Sequence, residues 1–167
     1  MSRAFVKEND LEHAGIDIPE RPVSNERNYV TPNGLKELQE KLNSLDSERQ
    51  LLKELESSNS KQKKLRIERD LRYFSSRLKS AILVDPSNQD KNIVLFSAIV
   101  KALSSKNKKY KFEIVGEDEA NIKLSKISYL SPLAKSLIGS RIEDEVIWNK
   151  SPEQEILTIT NIYYCIQ

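Results

Sequence analysis

Residues 31–52 read TPNGLKELQEKLNSLDSERQLL, and their spacing decides the first half of the fold. Leu35, Leu38, Leu42, Leu45 and Leu52 follow at intervals of 3, 4, 3 and 7, with Arg49 in the skipped position. This is the narrow apolar seam of a coiled coil. Thr31 can cap the open amides of a first turn, and Pro32 suits the first helical position because its missing N–H would have no intrahelical partner anyway. The pattern therefore predicts a helix starting near Pro32. Lys36, Glu37, Glu40, Lys41, Glu48 and Lys53 alternate in sign between the leucines and form its water face.

Working outward, Ser57-Ser58-Asn59-Ser60 interrupts the run with four small polar residues that compete for backbone hydrogen bonds, which predicts a tight reversal. Beyond it Ile67, Leu71, Phe74, Leu78 and Ala81 repeat at 4, 3, 4 and 3, a second seam of the same kind. Two such helices make an antiparallel hairpin, a rod of about 35 Å at 1.5 Å per residue. Asp85-Pro86-Ser87-Asn88-Gln89-Asp90 ends the second helix as a linker. After it the period changes. Ile93 to Phe96, Ala98 to Val100, Tyr110 to Val115, Glu145 to Trp148 and Ile156 to Tyr164 read as four or five strands, antiparallel in arrangement. Ser131 to Gly139 reads as one short helix, capped by Ser131, opened by Pro132 and stopped by Gly139. The fold class is α+β, with an arm over residues 1–30, a coiled-coil hairpin over 31–84, a linker over 85–92 and a sheet domain over 93–167.

Composition narrows the function. Of 167 residues, 31% are charged and 38% hydrophobic, which suits a globular chain with much helix surface. A formal charge of only +2 argues against one uniform field that would draw the chain onto any polyanion, while leaving room for local patches. The lone Cys165 allows no intramolecular disulfide, and Met1 to Asp10 lacks the apolar core of a signal peptide, so a cytoplasmic location and no membrane partner are expected.

The inventory of catalytic groups is thin. His13 lies in the arm without a cysteine nearby, Cys165 has no C-x-x-C partner, and the four glycines form no phosphate-binding loop. No catalytic residue, metal ligand or cofactor is expected. Glu117-Asp118-Glu119, after Val115-Gly116 at a strand end, reads either as a solvated turn or as a site for a cation or a basic partner. Glu54 and Glu56, with Glu68 and Asp70 across the hairpin, stand two apart on their helices, so the two members of each pair point away from each other. Lys61, Lys63, Lys64, Arg66, Arg69, Arg72, Arg77 and Lys79 read either as hairpin salt bridges or as contacts to phosphates or an acidic partner.

These blocks carry a resemblance. Tyr29 to Leu38, with its Thr-Pro-x-Gly start, resembles the opening of the Gre transcript-cleavage factors, and Ile114 to Ala120, Lys126 to Ser128 and Ser131 to Gly139 resemble their C-terminal domain in order and spacing. The arm resembles the extension of a divergent Gre subgroup. The resemblance implies an FKBP-like sheet domain that docks on the rim of the RNA polymerase secondary channel and a coiled coil that enters it. In the family, acids at the tip in a Gly-Asp-x-x-Glu-Asn motif help the polymerase's two-metal site cleave backtracked RNA.

On this resemblance Glu117, Asp118, Glu119, Ser131, Pro132 and Leu133 match the docking surface, and Glu56, Ser57, Ser58, Asn59, Ser60 and Lys61 occupy the tip. No Gly-Asp-x-x-Glu-Asn sequence lies between Leu35 and Leu83, and the hairpin is shorter than is usual for the family, a departure that resembles the Rnk group. The expectation is a monomeric regulator of RNA polymerase, not an enzyme, that does not stimulate cleavage and touches RNA or DNA only within the transcription complex. Two rival expectations are cleavage stimulation through Glu54 or Glu56 and, more remotely, prolyl isomerisation, which needs an aromatic-lined pocket where Tyr110, Phe112, Trp148, Tyr163 and Tyr164 read more simply as a small core.

Overall fold

The computed structural model describes residues 18–52, 58–150 and 152–165, and of residues 58–60 the backbone alone. In chain order the elements are β1 (Tyr29–Val30), α1 (Pro32–Leu51), α2 (Ser58–Lys79), β2 (Ile82–Leu83), β3 (Ala98–Ser104), β4 (Lys109–Val115), β5 (Lys126–Ser128), α3 (Pro132–Leu137), β6 (Glu145–Lys150) and β7 (Glu153–Tyr164). One-turn 3₁₀ helices stand at Pro86–Asn88 and Ile122–Leu124. The class is α+β, with a helical hairpin ahead of a mostly antiparallel sheet. No described helix is long and apolar enough to cross a membrane.

The chain packs as two compact units. One is Lys41–Ser76 with the segment ending at Ser24; the other is Asn25–Glu40 with Arg77–Gln167. Both helices are thus shared between the two units. In the first unit Leu45, Leu52 and Ile67 are buried, with Leu71 and Phe74 packed against them, which is the seam spacing turned into contact. Arg21 lays its guanidinium over the Tyr73 ring, 3.8 Å from its centroid, so the extended segment before α1 covers one flank of α2. Ser58, Asn59 and Ser60, expected in the reversal, instead form the first turn of α2, where the first amides have no helical partner and small polar residues are favoured. Glu54, Glu56 and Ser57 lie outside the described residues.

The second unit is built on a five-stranded sheet of order β5-β4-β3-β7-β6. One face buries Val100, Ala102, Phe112, Ile114, Val146, Leu157 and Ile159 against Leu133, Ala134 and Leu137 of α3. The alternation is the ordinary one of a sheet with one buried face. Ser131 Oγ accepts from the Ala134 N–H at 3.2 Å and caps α3, while Gly139, at φ +91°, follows its end.

Two expectations about strands are corrected. Ile93 to Phe96 makes only an isolated bridge, at Ile93, because Ser97 adopts φ +67° and turns the chain before β3. Val94 is fully buried and bonds the stretch after α3, donating to Ser140 O and accepting from Gly139 N, both at 2.8 Å. Nor is the pairing wholly antiparallel: β5 runs parallel to β4, and β1 runs parallel to β2, tying the chain before α1 to the chain after α2.

Candidate functional site at the acidic turn

The residues singled out in the sequence converge on the turn after β4. Glu119 sits at the start of α1: its Oε2 accepts from the Thr31 hydroxyl at 2.5 Å, and its Oε1 accepts from Lys126 Nζ at 2.8 Å and from Asn33 Nδ2 at 3.2 Å. Thr31 Oγ1 in turn accepts from the Gly34 N–H at 2.9 Å. A carboxylate is favoured there because the open amides and the helix dipole present positive charge. The side chain of Glu119 is only 2% exposed.

The other two acids turn to α2. Arg77 Nε donates to Asp118 Oδ2 at 2.6 Å and its NH2 group to Glu117 Oε2 at 3.1 Å, with the Arg77 side chain 2% exposed. An arginine read from sequence as a hairpin-surface cation is thus the largest fully buried side chain of the described residues. Asn28 completes the arrangement by donating from Nδ2 to Arg77 O at 2.7 Å, closing the end of α2.

The glycines of both motif blocks fit the same construction. A Cβ on Gly34 would lie 2.6 Å from Glu119 Oε2, and one on Gly116 would lie 2.6 Å from the carbonyl oxygen of Tyr29. Thr-Pro-x-Gly and Val-Gly-Glu-Asp-Glu are therefore two halves of one fastening. The three acids do not converge on a common point, and among the described residues no group of three His, Cys, Asp or Glu could hold a metal ion.

Of the remaining docking candidates, Ser131 is spent on its cap, Leu133 is in the core and Pro132 is exposed. What the sequence reading missed is apolar exposure beside them: Ile122 is 91% and Leu124 65% exposed on the turn between Glu119 and β5. Their only signal was an apolar pair in a segment too short for a strand. Beside Tyr29 and Phe96, burial and the negative Glu117 push the Tyr129 phenol above its usual value. Lys61 is exposed on α2. Tyr110, Phe112 and Trp148 pack on one another with ring centroids 5.2–5.7 Å apart, Phe112 within the core and Tyr110 and Trp148 partly buried against it. Tyr164 is engaged through its hydroxyl with Ile93 O at 2.7 Å.

The family model "Transcription elongation factor, GreA/GreB, C-term" matches residues 89–164, which include the acidic turn, β5 and α3. Transcription elongation factor GreB of Neisseria meningitidis serogroup A is 32% identical over 154 residues, spanning 83% of this chain and 94% of the relative. The chain belongs to the GreA/GreB family of transcription elongation factors. A second Gre relative, transcription elongation factor GreA of Nautilia profundicola, is 34% identical over 143 residues and spans 85% of this chain and 88% of its own length. The solved structure of a prokaryotic transcription elongation factor GreA/GreB from Nitrosomonas europaea superposes with a TM-score of 0.42 at 19% identity, over 84% of this chain and all of that one. In this Gre chain the motif residues of both halves meet where the first turn of α1 and Arg77 at the end of α2 join the turn after β4.

Proposed function

We propose that this Gre-family chain binds RNA polymerase at the rim of the secondary channel through its sheet unit, presents its short hairpin to the channel, and regulates transcription without stimulating transcript cleavage. The observation that carries this reading is the absence of any Gly-Asp-x-x-Glu-Asn sequence between Leu35 and Leu83 in a chain whose family blocks are otherwise present. A second magnesium ion needs oxygen ligands at about 2.0–2.1 Å, which Ser, Asn and Lys at the tip do not supply in the way paired carboxylates do. The docking contact we assign to Pro132, Ile122 and Leu124, exposed beside the fastened acids, since desolvating apolar side chains at the centre of an interface carries most binding energy.

Two measurements test it. The purified chain should co-migrate with core RNA polymerase, and the Ile122→Ser/Leu124→Ser variant should not; failure of the unmodified chain to co-migrate overturns the docking. In backtracked complexes with magnesium, the RNA should stay full length and the chain should slow cleavage by an added cleaving factor. Shortened RNA that returns to full length with Glu54→Gln/Glu56→Gln would instead establish cleavage stimulation.

A further inference from the structure

The sheet has a second face, opposite α3; at one end Ile99 and Val115 are buried and Glu113 adjoins the fastening through Lys126, while the end from Lys101 onward is left without a role. Lys101 of β3 stands directly across from Lys111 of β4, and Leu103 directly across from Lys109. All three lysines are exposed. They border an open groove of about 530 Å³ together with Leu103, Tyr110 and Thr160. From Lys101 to Lys111 the sequence carries five lysines and no acid, in a chain whose whole formal charge is +2.

Like charges directly opposite on paired strands cost stability, so folding alone does not reward this pairing. Neighbouring acids are already engaged: Glu153 with Lys106 at 2.6 Å, and Glu155 with the Tyr110 hydroxyl at 3.0 Å. Among the described residues none of Lys101, Lys109 and Lys111 is in a salt bridge, and the acids sharing their face are the half-buried Glu113 and the edge residue Glu145. Beyond the lysines the face turns apolar. Ile147 and Ile156 stand opposite each other, 57% and 44% exposed, next to Thr158, which pairs with Leu103.

We propose that this open face binds a single strand of nucleic acid, with phosphates on Lys101, Lys109 and Lys111 and bases against Leu103, Ile147 and Ile156. A peptide of acidic residues alone would use the lysines but leave the apolar strip bare. A duplex keeps its bases stacked inside and could not use the strip either. A strand with free bases complements both parts of the face: its phosphates meet the lysines, and its bases cover exposed aliphatic side chains in place of the aromatic ones on which bases commonly stack. The contact belongs to the chain by itself and does not rest on polymerase binding.

Fluorescence anisotropy of the full chain with an end-labelled oligo-dT of about 20 nucleotides tests this without polymerase. Binding should weaken linearly on a log–log salt plot. The Lys101→Gln/Lys109→Gln/Lys111→Gln variant should lose about tenfold or more in affinity and reduce the salt slope by about 2, and arginine at the same three positions should restore both. The Lys36→Gln/Lys41→Gln/Lys91→Gln variant, with the same loss of charge on exposed positions elsewhere, should bind like the parent chain. No binding of the strand, equal loss in the two glutamine variants, or equal affinity for the matching duplex or for polyglutamate overturns the proposal.

Discussion

The same kinds of charge do different work in the outer and inner stretches of the two helices. In the outer unit Lys63 meets Glu48 at 2.6 Å and Arg72 meets Glu20, with all four side chains 40–62% exposed. In the inner unit Arg77 holds Asp118 and Glu117, and Lys126 holds Glu119, with the side chains 2–27% exposed. Ion pairs in water gain little because hydration and side-chain entropy offset the attraction, whereas a desolvated pair is costly to break once formed. The outer charges keep a helix surface wet, and the inner ones decide whether the sheet unit holds together.

The sharpest way to break this contrast is Arg77→Met. It leaves Asp118, 12% exposed, and the more open Glu117 without the Arg77 cation, and unfolding in urea should show a loss of about 3 kcal/mol. A loss under 1 kcal/mol would mean that the carboxylates relax into water and that the inner pair is no different from the outer ones. Next in size is Gly116→Ala. Its Cβ would meet the backbone carbonyl of Tyr29, which cannot swing aside, so about 1–3 kcal/mol should be lost although glycine to alanine is otherwise neutral or favourable.

Much of this molecule was legible in its sequence, and the parts that were not share one physical cause. Periodicity is local, so the leucine seam, the long strands and the cap of α3 by Ser131 could be read from spacing alone. The fastening joins Thr31 to Glu119 and Arg77 to Asp118, residues 88 and 41 apart, and no local pattern encodes which acid meets which base. Arg77 lies beside Leu78 of the seam and looks like any other cation on a helix until the fold closes over it. Ile93 to Phe96 failed in the same way: its apolar run is that of a strand, yet the stretch beyond α3 captures Val94 and Ser97 turns the chain. Exposure at Ile122 and Leu124 was illegible because hydrophobicity alone states a preference for burial, not its outcome.

A smaller effect comes from pH. Burial works against the charge on Lys126, but the hydrogen bond and attraction of Glu119, with Glu113 and Glu37 behind it, outweigh burial and raise its pKa above the ordinary lysine value. A raised folded value means the folded state holds the proton more tightly. The stabilisation is therefore complete below the unfolded lysine pKa of about 10.4 and is lost as pH rises through the higher folded value. Lys126→Met should cost about 1–2 kcal/mol at neutral pH, and its urea midpoint should approach that of the parent chain in strongly alkaline buffer. A gap between the two that is constant across pH would assign the loss to packing instead.

The smallest effect is expected on the outer helices. Lys63→Ala removes the partner of Glu48, but water replaces it at once because the two side chains are 55% and 40% exposed. Stability should change by less than about 0.5 kcal/mol, and raising the salt should shrink even that. Lys63 and Arg77 are both cations on α2 within contact distance of a carboxylate, but Arg77 is buried and holds two acids where Lys63 is exposed and holds Glu48. If Lys63→Ala cost as much as Lys126→Met, the outer pair would be holding the hairpin as the inner ones hold the sheet, and the division of labour between the two stretches would have to be given up.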